Sequence, residues 1–488
     1  MYKVNLNQEF YLHPVGQGLF YSGNVDIEPI SYQKFFFVFD CGSLNKANIK
    51  EEIEQYKRVN FPDGGTIDLL IISHFDADHV NHLSVLLEGM KVKKIVAPFI
   101  NFEERLFLVL RLIGQKQINT NNADDLTVID NIIDPVGNLG EYLDDGGEFI
   151  LINSDPENPP FPPPSNTDNN PDRLRNEGDG INFGFERGTA LMTQERLTEL
   201  KTKPGMHPKE VKDSQKGLVS VRDVAVMEFL FYRKDIGKDN AAFFKKVYEL
   251  LIKKYALEFK DPASPGMDEL VKVIKSMASA TIVKELFKDA LKEVKGISIA
   301  AGELMNMNTT ALSLMHYNLY ENFRMLTGNG ECTDRRFYAL EVKKMDGTLS
   351  TQVFTKLLEV YYYRYDRYLE QRIIPNTLFT SDSFLLAAAD VNAFYEKYKH
   401  YWDAFWLFQI PHHGSNHNSN LHLLTRLHFY TRSFINYGVN KSWGGKWRHP
   451  SPPLIADLTA AGLSAGLMPV NEYNGYKFAY AERWDRIP

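Results

Sequence analysis

Two cysteines, Cys41 and Cys332, are all that the 488 residues contain. They offer no disulfide framework, and such a count suits a reducing compartment. No apolar run approaches the roughly eighteen residues that span a bilayer. The opening MYKVNLNQEF lacks the basic head and apolar centre of a secretory signal, so a cytoplasmic location is expected. Excess basic charge is missing too. The net charge of −7 counts against a protein that coats nucleic acid non-specifically and counts less against a nuclease, because local charge at a site governs steering. No internal repeat is present. A hydrophobic content of 44% with 24% charged residues is that of a soluble globular chain. The length allows two or three average domains, or one large α/β core with insertions.

Against that background the stretch LLIISHFDADHVNHL stands out, with His74, Asp76, Asp78 and His79 close together. The apolar run Leu69 to Ile72 reads as a buried strand that feeds straight into a polar loop. Residues at the carboxyl end of such a strand emerge together at one edge of a sheet. Two imidazoles and two carboxylates so close would desolvate badly unless a cation sat among them, and a pair of metal ions meets that need. For Asp78 alone, capping of the following helix would be a sufficient account. For the quartet it is not.

The spacing resembles the metallo-β-lactamase signature His-x-His-x-Asp-His, with Asp76 in place of the second His. With the downstream motifs it is most similar to the hydrolase domain of the bacterial competence protein ComEC and its soluble relatives. HPVGQGLFYSG resembles that family's Val-Gly-Gln-Gly opening (Val15 to Gly18), and FFFVFDCGS its Asp-Cys-Gly segment (Asp40 to Gly42). MNTTALSLMHY, NTLFTSDSF, FQIPHHGSNHNS and the closing segment through His449-Pro450 resemble later family motifs, in family order. Departures are Leu19 where an acid is common, Asn81-His82 for a glycine pair, Ala311 for a serine and Ser381 for the glycine before Asp382. None removes an expected metal ligand. His82 reads as a surface helix histidine, with substrate contact as the alternative.

The resemblance implies an α/β fold, the metallo-β-lactamase-like αββα four-layer sandwich, here with helical insertions. Residues 1–154 and 375–488 would form its two halves, with 183–235 and the strand of 301–317 continuing the core. Between them, 155–182 carries six prolines in nine residues and reads as an exposed loop, or a flap beside the site. Residues 236–300 read as amphipathic helices standing apart from the core, with Phe244, Val247, Tyr248, Leu251 and Tyr255 on one stripe. Residues 318–374 form a further insertion. Its EVYYYRYDRYLEQR interleaves tyrosine with Arg364, Arg367 and Arg372, as single-strand binding would use, although tyrosines packed on the sheet account for the spacing better.

The resemblance also implies roles. Asp382 would bridge two metals, since only a carboxylate can offer one oxygen to each. One of His412 and His413 would complete the ligand set of His74, Asp76, Asp78 and His79, and the sequence does not choose between them. Asp78 would also orient the attacking hydroxide. His449 would assist the leaving group, or else lie on a surface loop, and Ser415 and Asn308 would contact substrate. A histidine often supplied mid-chain has no match: His207 lies in a polar loop and His316 inside a strand. Two divalent ions are expected, Mn²⁺ or Zn²⁺ with Mg²⁺ also suitable, because Asp76 raises the oxygen share of the site. The expected activity is that of a metal-dependent nuclease or phosphodiesterase using a metal-bound hydroxide on nucleic acid or another phosphodiester. Hydrolysis of a small ester, thioester or lactam is the alternative. A further one is a partner-gated effector whose helical insertions bind another protein.

Overall fold

Among the described residues the chain builds two sheets, one of eleven strands and one of eight. The computed structural model describes residues 3–485 except 32, 115–117, 119–121, 166–179, 194–206, 223, 236–237, 263–266, 277–279, 295–310, 327–330, 345–352, 358–374, 429 and 440–448. Among the described residues no helix is long and apolar enough to cross a membrane. The fold is mixed α/β.

The first sheet begins as an antiparallel meander of Lys3–Leu12, Gly18–Glu28 and Phe35–Ser43. It continues in parallel through Gly65–Ile71, Met90–Pro98 and Leu143–Asn153. Parallel strands need crossover connections, and helices Lys46–Asn60 and Phe102–Gly114 lie in two of them. In the second sheet the four strands Thr377–Phe379, Leu407–Gln409, Arg432–Asn436 and Leu467–Val470 run parallel. Apolar side chains of both sheets, Phe37, Phe39 and Leu69 among them from one and Phe229, Leu314 and Phe379 from the other, meet in a single buried cluster. The alternate residues of each sheet pack under helices on its other face. That two-faced burial explains why the central strands read as continuous apolar runs.

Three expectations need correction. Helices Lys238–Lys254, Met267–Ser276 and Ala280–Glu293 do not stand apart. Phe107 is stacked by Phe244 at 4.3 Å and by Phe287 at 5.0 Å, and Val247, Leu251 and Val283 are buried in the first sheet's outer core. Helix Phe102–Gly114 is buried on every side from Glu104 to Ile113, so it requires cover that the sheet alone cannot give. The insertion after residue 318 contributes sheet as well: Glu331–Lys343 pairs along Asn474–Asp485 and extends the first sheet. Within 155–182 the chain is not simply exposed. Phe161 is fully buried, its N–H donates to the Lys397 carbonyl at 2.9 Å, and Ile181 already begins a strand. The Tyr/Arg run 359–372 lies outside the described residues.

Candidate metal centre

Carboxyl ends of parallel strands from both sheets converge on one place. From the first sheet, Gly65–Ile71 delivers His74 and the short helix Ala77–Val80 that carries Asp78 and His79. From the second, Thr377–Phe379 delivers Asp382, and Leu407–Gln409 delivers His412 and His413. Ser381 Oγ donates to Ser73 Oγ at 2.8 Å and so ties the two sheets together at this edge. The Gly-containing motifs seat the helix: a Cβ on Gly42 would lie 2.4 Å from His79 N, and one on Gly18 2.5 Å from Asp78 O. Only glycine admits that approach.

Four imidazoles are held in one tautomer. His79 Nδ1–H donates to Asp40 Oδ2 at 2.7 Å. His74 Nδ1–H donates at 2.8 Å to Ser73 Oγ, whose own hydrogen goes to Asp40 Oδ2 at 2.5 Å. His413 Nδ1–H donates to the Asn436 carbonyl at 2.8 Å, and His412 Nδ1–H to Asn418 Oδ1 at 2.6 Å. Every Nε2 is thereby turned toward carboxylate oxygens. Asp382 Oδ1 lies 3.5 Å from His79 Nε2 and 3.8 Å from His413 Nε2. Its Oδ2 lies 3.8 Å from His74 Nε2 and 3.4 Å from His412 Nε2. Asp78 Oδ2 is 3.1 Å from His413 Nε2, and Asp76 Oδ2 is 3.9 Å from His74 Nε2.

Two donor groups result, His74–Asp76–Asp382 and Asp78–His79–His413, each with its donor atoms within 4.8 Å of one another. Donors around a tetrahedral ion bound at about 2.1 Å lie about 3.4 Å apart, which is the scale seen here. His74 Nε2 and His79 Nε2 are buried with no hydrogen-bond partner, an expensive condition for polar nitrogens. A divalent cation in each group would relieve it, so the residues present fit a pair of metal ions. The third grouping, Asp40–His74–His79, is better read as support. Asp40 already accepts from Ser73 N–H at 2.6 Å, from Ser73 Oγ–H and from His79, the arrangement that fixes a ligating imidazole from behind.

Electrostatics follow from this crowding. Burial opposes charge on Asp78, but the hydrogen bond from His413 and the charges of His79 and His413 outweigh it and hold its pKa low. Burial likewise opposes charge on Asp382, and the nearby His412, His413 and His79 imidazoles hold its pKa well below the usual carboxylate range. His79 is raised against its burial by Asp40 and Asp382, and His413 against its own by Asp382 and Asp78. Burial and the His79 charge lower His74.

The backbone is strained at the same place. Asp40, Ser381, His412 and His413 all adopt left-handed φ between 47° and 56°, at roughly 1–2 kcal/mol each. Gln409 Oε1 accepts from Ser381 N–H at 2.7 Å, and His412 N–H donates to the Ser381 carbonyl at 3.1 Å. Non-glycine residues persist in such conformations where the surroundings over-determine them, and these sites tend to be functional.

The sequence-derived set is brought together almost whole. His413 is the inner histidine and His412 the outer, its side chain 29% exposed. His449 also reaches the site, its ring 6.0 Å from His412 and 6.4 Å from His413. Burial, then the neighbouring histidine charges, push it down to about 3, so it offers a neutral imidazole rather than a cation. Ser415 is buried in the loop, where its Oγ accepts from His417 N–H at 3.2 Å. Asn308 lies outside the described residues. His316 is core, hydrogen-bonded to Tyr21 at 2.8 Å and stacked on Phe10, while His207 is exposed. His82 is buried, not a surface residue, with Nδ1 2.6 Å from Asn81 Oδ1.

Arg111 was not foreseen. Its Nη2 donates to both oxygens of Asp76, to Oδ2 at 2.6 Å, and both side chains are buried. The signal was present: one arginine amid Leu106 to Ile113 in a helix with no solvent face must have a buried anionic partner. No family model matches the chain, and no curated protein matches it.

Proposed function

We propose that the chain is a metal-dependent hydrolase with a dinuclear centre, acting as a nuclease or phosphodiesterase on the metallo-β-lactamase-like four-layer plan of ComEC-type domains. One observation carries the reading: four imidazoles, tautomerically fixed from behind, point Nε2 at opposite oxygens of a single carboxylate, Asp382. Lone pairs facing anions at 3.4–3.8 Å need a cation between them. His74, Asp76 and Asp382 would hold one ion, and Asp78, His79, His413 and Asp382 the other. Such ions supply positive charge that activates water and neutralises a phosphodiester.

The residues of the chain do the rest. Asp40 and Ser73 fix the imidazoles of His79 and His74, and the Asn436 carbonyl fixes that of His413. His412 would accept or orient a polar group of the substrate, and the neutral imidazole of His449, whose ring lies 6.0 Å from that of His412, would donate a hydrogen bond to the leaving oxygen. The oxygen-rich first group favours Mn²⁺, with Mg²⁺ and Zn²⁺ as competitors. Free, unpaired cysteines suit a cytosolic nucleic-acid substrate. The test is cleavage of single-stranded DNA, double-stranded DNA, RNA and bis(p-nitrophenyl) phosphate by the purified chain with Mn²⁺, Mg²⁺ or Zn²⁺ and with chelator. Metal-dependent cleavage of a phosphodiester supports the reading. Hydrolysis of a thioester or lactone in its place refutes it.

A further inference from the structure

Away from the metal centre, the first sheet carries another set of buried titratable groups, sharing no residue with the carboxylates and imidazoles above. His13, just beyond strand Lys3–Leu12, lies between Ser22 of the neighbouring strand and Glu52 of helix Lys46–Asn60. Its Nδ1–H donates to Glu52 Oε2 at 3.0 Å, which leaves Nε2 as an acceptor, and Ser22 Oγ–H donates to it at 2.9 Å. Lys344 lies 2.6 Å from the other oxygen of Glu52 and holds that carboxylate in place. Hydroxyl, imidazole and carboxylate thus form a hydrogen-bonded relay in the order that activates a serine nucleophile.

The relay is not sealed in the core. Ser22, His13 and Glu52 line a cavity of about 150 Å³, whose rim includes Val59 with 65% of its surface exposed. Tyr11 supplies an apolar wall, and the Lys477 ammonium, 4.8 Å from the Tyr11 ring centroid, supplies positive charge. A cavity of this volume accommodates one benzene-sized group.

We propose that Ser22, His13 and Glu52 form a second, metal-independent catalytic site that hydrolyses small carboxylic esters, with an acyl group no larger than one aromatic ring. Ser22 Oγ attacks the carbonyl carbon while its proton passes to His13 Nε2. The ester C–O bond breaks, and the departing alkoxide takes that proton as alcohol. Water, deprotonated by the same nitrogen, then attacks the acyl carbon. The Ser22 ester bond breaks, and the carboxylic acid leaves as Ser22 regains its hydrogen. Glu52 holds the tautomer and faces the imidazolium formed in each half; Lys477 lines the cavity in which the carbonyl oxygen becomes negative. Burial keeps His13 neutral, pushed down to about 4, so its lone pair is available at neutral pH.

The test uses the full chain in excess chelator, which separates this site from the metal-dependent reading. A small alkyl fluorophosphonate is added, and intact mass with peptide mapping locates the adduct. The expected result is one adduct per chain, on Ser22, with hydrolysis of p-nitrophenyl acetate lost in parallel. Ser22→Ala should remove adduct and turnover, and His13→Gln should slow labelling by about 100-fold. An unmodified Ser22 in the wild type overturns the proposal without any variant having to fold. So does p-nitrophenyl acetate turnover that survives in a folded Ser22→Ala chain.

Discussion

Replacing Arg111 by Met separates the roles of arginine and metal at Asp76. In the ion-free protein the guanidinium binds both oxygens of a buried carboxylate, and removing one partner of a buried pair costs about 3–5 kcal/mol, because the other charge is stranded. An unfolding entropy of roughly 2.1 cal/mol/K per residue gives about 1 kcal/mol/K over 488 residues. The expected loss in melting temperature is therefore about 3–5 °C, measured by differential scanning fluorimetry in chelator. A divalent ion beside Asp76 neutralises the same charge. Saturating Mn²⁺ should return most of the loss, over and above the roughly 2.7 kcal/mol that any ligand at a hundred times its Kd gives the wild type. The metal-induced shift should thus be larger in Arg111→Met than in wild type. An equal shift in both, or no destabilisation in chelator, would show that Asp76 neither depends on Arg111 nor serves a metal.

Asp78→Asn and Asp382→Asn should lower metal-dependent phosphodiester cleavage by about 100-fold or more. Their melting in chelator should stay near wild type, since volume is kept; cleavage at wild-type rate would place the chemistry elsewhere. His413→Ala should remove one ion from the count given by isothermal titration, whereas His412→Ala should keep the count and slow turnover about tenfold. Glu104, which belongs to neither donor group, provides a pH test of its own. Burial raises its pKa to about 7 against 4.5 in the unfolded chain, partly offset by Arg233. The folded state therefore holds the extra proton, and its contribution is complete below pH 4.5 and lost as pH rises through 7, a change of about 3 kcal/mol. Glu104→Gln should flatten urea-unfolding stability between pH 5 and 8, and an unchanged slope would refute the assignment.

What was legible in the sequence was what is local. His74 to His79 follow directly from a buried strand, so spacing alone brings them to one loop. Asp382 and His413 became legible through the order of their motifs, because each also ends an apolar strand. Which of His412 and His413 lies inward was not legible, since it depends on which Nδ1 finds the Asn436 carbonyl across a strand boundary. Arg111 was missed because its partner Asp76 lies 35 residues earlier in the chain and nothing local pairs them. The helices after residue 237 showed their stripe, but a stripe does not name the surface it covers. Strand Glu331–Lys343 escaped notice because its polar residues dilute the alternation, with Phe337, Ala339 and Val342 its buried residues.

Asp382, faced by four imidazole Nε2 atoms, would be shared between two cations. Isothermal titration of the chelator-treated chain with Mn²⁺, checked by elemental analysis after desalting, tests it most directly. Two ions per wild-type chain are expected, with affinity lost at both positions in Asp382→Asn. Zero ions under Mn²⁺, Zn²⁺ and Mg²⁺ alike would contradict it, as would two ions retained unchanged when Asp382 is replaced.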